Sequence, residues 1–200
     1  MKIWPVAACL LSLLHASAAV AVVECLSGDA ARAAFVTDTP EPYFSQLQPR
    51  EMAAKTGTLP AAGTLQQQRD GVRAAYRAAV LDCTLEDIKG LESYTAIIDS
   101  AVKPVYPGLV ALPWRIVKVK DNIEGGLPHT RGSVIVLSAS LLRSLVLSSQ
   151  MQRWEPEYMN LFIHERVHVI QRARPAEFAS LYEQQWGFRK ASAIHGAERS

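Results

Sequence analysis

Residues 161–171 read LFIHERVHVIQ, and the interpretation of the whole chain depends on this stretch. Pro156 lies just upstream and suits the first position of a helix, and Pro175 lies just downstream and ends one. On that helix, His164 and His168 lie about one turn apart on the same face. Apolar residues occupy nearly every other side, so we expect the helix to be buried together with its histidines and Glu165.

The two histidines and the glutamate between them predict a metal site. Imidazoles four residues apart on a helix can bind one metal ion, with zinc as the usual ion. Glu165 projects about 100° round the helix from His164, and can hydrogen-bond a water at the metal's open position, where hydrolysis needs a general base. This His-Glu-x-x-His pattern resembles the active-site helix of the zincin metallopeptidases. The resemblance implies a zinc-dependent peptidase that acts on a peptide or protein substrate.

A catalytic zinc site normally has three protein ligands, and the sequence leaves the third one open. Gln171 and Arg174 stand where metzincins carry glycine and histidine, so that subclass is excluded. The resemblance to gluzincins implies a glutamate on the next helix, and Glu183 is preferred because it lies about as far beyond the turn as the histidines lie before it. Gln171 shares the histidine face and can orient a ligand. The alternatives for the third ligand are Glu177, His129 and His195.

Residues 1–21 are predicted to be a secretory signal peptide, with Lys2 ahead of an apolar run and small residues after it. The mature chain, 22–200, would then keep two cysteines, and Cys25 and Cys83 would most simply form one disulfide in an oxidising compartment. No other stretch is long and apolar enough to cross a bilayer. We therefore expect a secreted or otherwise exported protein without stable membrane association.

Composition and patterning predict one mostly helical α+β domain over residues 22–200. The net charge of +2, from 21 Lys+Arg against 19 Asp+Glu, gives no electrostatic case for nucleic acid. Apolar spacing predicts helices over 64–83 and from 85 to about Pro104. Thr84, with the acidic Asp87 three residues on, is predicted to cap the second of these helices. Residues 113–120 and 133–138 predict two strands, which we expect to pair as an antiparallel ribbon over the His-Glu-x-x-His helix. This order of elements, two strands followed by the His-Glu-x-x-His helix, is similar to part of a zincin-like metallopeptidase domain. In that family the edge strand binds peptide substrates.

The link between the two strands carries residues suited to substrate binding. Arg131 could bind a carboxylate, and His129 could donate to an oxyanion or bind the metal. An ordinary exposed loop is the alternative for this link. Two alternatives to a peptidase also stay open for the chain. One is a zinc-binding or inactive protein that keeps the zincin scaffold, and the other is a helical protein whose motif arose by chance. The sequence predicts no oligomeric state.

Overall fold

A five-stranded sheet forms the middle layer of the structure, which is a computed structural model that describes residues 22–189. The strands lie in the order β1-β3-β5-β4, and β2 also pairs with β3. Their bounds are β1 (Val23–Cys25), β2 (Val80–Leu81), β3 (Trp114–Val119), β4 (His129–Arg131) and β5 (Val134–Ser138).

Seven α-helices are present among residues 22–189, so the domain is a mixed α+β fold that is mostly helical. They are α1 (Gly28–Phe35), α2 (Pro49–Thr56), α3 (Leu65–Ala79), α4 (Leu85–Val102), α5 (Ala139–Gln150), α6 (Pro156–Ala173) and α7 (Pro175–Ser180). A π-helical segment, Leu181–Gln185, follows α7, and short 3-10 segments lie at Phe44–Gln46, Pro107–Val110 and Glu124–Gly126. Within 22–189, no helix is long and apolar enough to cross a membrane.

The starts of α3 and α4 follow from local hydrogen bonding. The Thr64 hydroxyl accepts from the Gln67 backbone N–H at 3.2 Å, and the Gln67 side chain accepts from the Thr64 N–H at 2.8 Å. Thr84 and Asp87 form the same reciprocal pair at α4. Each pair satisfies two N–H groups that a helix start leaves without partners. The predicted capping role of Thr84 is confirmed.

The sheet is buried on both faces. Val117 and Val119 face a core formed with α1, α2 and α3, whereas Trp114 and Ile116 face a core formed with α4, α5 and α6. Residues 134–137 of β5 alternate between the same two cores, which explains why all four are apolar. Phe162 and Val169 hold α6 in the second core, close to β4 and β5.

The predicted antiparallel pairing of the two main strands is wrong. β3 and β5 run parallel, with Ile116 opposite Ile135 and Val119 opposite Ser138. The chain between them does not close a hairpin, because Glu124–Gly126 turns it away and β4 comes first. β4 then pairs antiparallel with β5 and becomes an outer strand.

The predicted disulfide is confirmed. Cys25 at the end of β1 is bonded to Cys83 in the segment between β2 and α4, with a Cα–Cα distance of 6.4 Å. The bridge closes a span of 58 residues. It therefore ties the first strand to the start of the second half of the domain.

Candidate metal centre on helix α6

Helix α6 has a buried face and an open face. Phe162 and Arg166 are almost fully buried against the rest of the domain, whereas His164 is exposed and His168 is half-buried. The expectation that both histidines are buried is therefore wrong, because no layer of the described chain covers their side of the helix fully. The burial expected for Glu165 is confirmed, since only 5% of this residue is exposed.

The two imidazoles converge. The Nε2 atoms of His164 and His168 lie 3.1 Å apart, and the rings are nearly perpendicular. Two nitrogens bound tetrahedrally to one zinc ion at about 2.0–2.1 Å lie about 3.3 Å from each other. The observed separation is thus close to that of two ligands of a single ion.

Gln171 fixes the orientation of His168. Its Oε1 lies 2.9 Å from Nδ1 of His168, and its amide nitrogen donates to the Tyr182 hydroxyl. An Nδ1–H that donates to Gln171 leaves the Nε2 lone pair free for a metal. Tyr182 belongs to the π-helical segment, so this segment helps to hold the imidazole.

Glu165 is the buried acid beside the pair. Burial raises the pKa of the Glu165 carboxyl above its usual value, although the charges of His164, His168 and Arg172 act in the opposite direction. A raised pKa brings a carboxyl closer to the range in which a general base can also return the proton as an acid.

Arg166 anchors α6 to the chain that enters β3. Its guanidinium donates to the carbonyl oxygens of Leu109 at 2.8 Å, of Pro113 at 2.7 Å and of Leu112. It also stacks 4.4 Å from the centre of the Trp114 ring. Burial lowers the pKa of Arg166 to about 10, against the charge of Asp99. No local pattern indicates this role of Arg166, because its partners are backbone atoms more than 50 residues away.

A third ligand is not assembled within the described chain. Among residues 22–189, no three His, Cys, Asp or Glu side chains are grouped so that they could hold a metal. Glu183, Glu177 and His129 therefore do not join the histidine pair in this structure. Glu183 lines a cavity of about 610 Å³ together with Gln171 and Tyr182. His195 lies outside the described residues, as does the predicted signal peptide at 1–21.

His129 and Arg131 lie on β4, and the loop alternative for this link is wrong at these positions. His129 packs against Phe35, with ring centres 5.9 Å apart, and its Nδ1 lies 3.0 Å from the Leu127 carbonyl oxygen. Burial and the nearby charge of Arg131 lower the pKa of His129 to about 4, so it is neutral at pH 7. Both side chains thus have structural partners, and their binding to substrate stays a prediction.

Glu124 is the partner of Arg131 and was not identified from the sequence. Its carboxylate accepts from Tyr43, from Tyr76 at 2.7 Å, from Lys55 at 2.9 Å and from Arg131 at 2.8 Å. Burial alone would raise the pKa of Glu124, but the hydrogen bonds from Tyr43, Tyr76 and Lys55 outweigh it and lower the pKa to about 2. This cluster joins the 3-10 turn before β4 to α2 and α3.

Arg172 connects α6 with β4 and also escaped the sequence reasoning. One of its nitrogens, Nη1, donates to the Thr130 hydroxyl at 2.5 Å, and Nε pairs with Glu41 at 3.1 Å. Nη1 also lies 3.4 Å from the carbonyl oxygen of His168. The arginine thus holds the outer strand next to the helix that carries the histidine pair.

No known protein family, characterised protein or solved structure matches this chain.

Proposed function

We propose that this chain is an exported zinc-dependent hydrolase that cleaves peptide bonds. The convergence of the His164 and His168 Nε2 atoms beside the buried Glu165 is the observation that carries the proposal. The Cys25–Cys83 disulfide favours an oxidising compartment and so supports export.

His164 and His168 would hold the zinc, and Gln171 would keep His168 in the tautomer that presents Nε2 to it. Zinc, when bound, acts as a Lewis acid towards the substrate carbonyl and lowers the pKa of a coordinated water to about 7. Glu165 takes the proton from the attacking water and gives it to the leaving amine. Arg172 keeps β4 beside α6, so an extended substrate can lie along this outer strand.

The test measures zinc and hydrolysis separately. We expect one zinc per purified chain, much less in His168→Ala, and a full complement in Glu165→Gln. Hydrolysis of unfolded casein by Glu165→Gln should fall about 10³-fold, because the general base is lost while the metal stays. A Glu165→Gln protein with normal activity would contradict the mechanism, and Glu86→Gln, on the exposed start of α4, serves as the control.

The same zinc measurement identifies the third ligand. Glu183→Gln is the first variant, because the sequence favours Glu183 and the structure places it in one cavity with Gln171. A loss of zinc in Glu183→Gln would assign the ligand there. Retention of zinc in that variant would direct the search to Glu177, His129 and His195.

A zinc-binding or inactive protein on the same scaffold is the second candidate function. It is favoured because, among residues 22–189, no third ligand is grouped with His164 and His168. Stoichiometric zinc without casein hydrolysis would support this function over the hydrolase. A protein without zinc would contradict the hydrolase and the zinc-binding form of the second function, and would leave the inactive scaffold protein.

A further inference from the structure

A cleft of about 750 Å³ lies beside α6 and is separate from the histidine pair. Its walls come from α1, residues 37–40, the segment before β3, the turn between β4 and β5, and the end of α6. A volume of this size is typical of sites that bind small organic groups. The cleft is therefore large enough for one or two amino-acid residues.

The lining combines apolar surface with positive charge. Its apolar part includes Ala34, Pro40, Leu112, Pro113 and Val169. The charged residues in the lining are all arginines, namely Arg115, Arg131 and Arg172, and no acidic side chain is among the lining residues. An apolar group that ends in a negative charge complements such a surface.

Each of these arginines keeps a nitrogen without a hydrogen-bond partner among residues 22–189. Arg115 uses Nε towards Glu24 and Nη1 towards Ser133, which leaves Nη2. Arg172 uses Nε and Nη1 and likewise leaves Nη2. The Nε of Arg131 is buried and has no partner. Arg115 and Arg172 thus each have an unused donor for a ligand in the cleft, whereas the Arg131 Nε is shielded from it. Guanidinium is the group best suited to bidentate binding of a carboxylate.

Two of the existing ion pairs can give way to a ligand. The Glu24 side chain that pairs with Arg115 is 44% exposed, and the Glu41 side chain that pairs with Arg172 is 66% exposed. Exposed pairs of this kind contribute little stability. A carboxylate held partly out of water in the cleft can therefore compete with them.

We propose that this cleft binds the C-terminal residue of a peptide, with an apolar side chain against the apolar wall and the terminal carboxylate bound by Arg115 and Arg172. A peptide is favoured because β4, an outer strand, ends at Arg131 in the wall of the cleft. A strand added along β4 would lead into the cleft. Arg172 also contacts the carbonyl of His168, so the cleft adjoins the proposed catalytic helix. The choice of a peptide as ligand rests on the proposed function.

The test compares acetyl-Ala-Ala-Leu as its free acid with the same peptide as its C-terminal amide. Binding is measured by calorimetry to the Glu165→Gln protein, which removes hydrolysis from the experiment. We expect the free acid to bind at least about tenfold more tightly than the amide, since charge-assisted hydrogen bonds are lost with the charge. Arg115→Gln should weaken the free acid about tenfold, and Ala33→Trp, which adds bulk at an exposed position of the lining, should abolish binding.

Arg77→Gln is the matched control, because it removes the same charge from an exposed position on α3 outside the cleft. Equal affinity for acid and amide, or equal weakening by Arg115→Gln and Arg77→Gln, would overturn the proposal. Tighter binding of dodecanoate than of the peptide acid would overturn the peptide assignment. Repeating the titration after removal of metal separates this inference from the proposed function, because binding in the cleft needs no zinc.

Discussion

Replacing Glu124 with Gln should destabilise the fold measurably, because one buried carboxylate is the acceptor for two tyrosines, a lysine and an arginine. The pKa of Glu124 is about 2 in the folded protein against 4.5 for an unperturbed glutamate. That difference corresponds to about 3 kcal/mol of stability. The side chain is only 14% exposed, so solvent screening reduces this value little.

The pH dependence of this stabilisation has a definite sign. The folded pKa lies below the unfolded one, so the unfolded state binds the proton more tightly than the folded state does. The contribution of Glu124 is fully present above about pH 4.5 and is lost as the pH falls towards 2. At pH 3 about half of it, or about 1.4 kcal/mol, should remain.

The assay is urea unfolding of the parent protein and of Glu124→Gln at pH 7 and pH 3. We expect a difference in the free energy of unfolding of about 3 kcal/mol at pH 7 and about half that at pH 3. Glu86→Gln removes a charge from an exposed glutamate and should change stability by less than about 0.5 kcal/mol. A Glu124→Gln difference below about 1 kcal/mol at pH 7, or one that does not change with pH, would refute the reasoning.

Three further outcomes are expected. Gln171→Leu should weaken zinc binding about 10- to 100-fold in a competition titration, because His168 loses the partner that orients it; unchanged affinity would contradict that role. Arg166→Leu should lower the free energy of unfolding by about 3–5 kcal/mol, since three partly buried carbonyl groups lose their donor, and a loss below about 1 kcal/mol would argue against the anchor. Replacing Cys25 and Cys83 together with Ser should cost about 4 kcal/mol for a closed loop of this length, which thermal unfolding with and without reductant can check.

The elements that local signals define were predictable. The Thr84 start of α4 depends on side chains within one turn, and the Pro156 start of α6 depends on a proline that suits the first turn. Strand β5 was predictable because a run of four apolar residues, Val134 to Leu137, identifies a strand buried on both faces. Its parallel pairing with β3 was not predictable, since nothing within the link shows that β4 takes the antiparallel place beside β5.

The candidate site likewise has features that a local sequence pattern predicts and features that it does not. The convergence of His164 and His168 follows from helical spacing alone. Glu124, by contrast, lies 81 residues from Tyr43 and 69 from Lys55, so its partners cannot be identified from a local pattern. The expectation that the histidines are buried was wrong, because apolar spacing predicts the helix but does not show which of its sides another element covers.

The division of α6 into two faces has an evolutionary consequence. Phe162 and Arg166 supply packing on one side, whereas the His164 ring is exposed on the other. A substitution at His164 can therefore remove a proposed metal ligand at small cost to folding, while one at Arg166 destabilises the fold first. If the proposed reaction is real, selection for chemistry and selection for stability act on different residues of this helix, and a descendant of this chain can lose that reaction and survive as a scaffold.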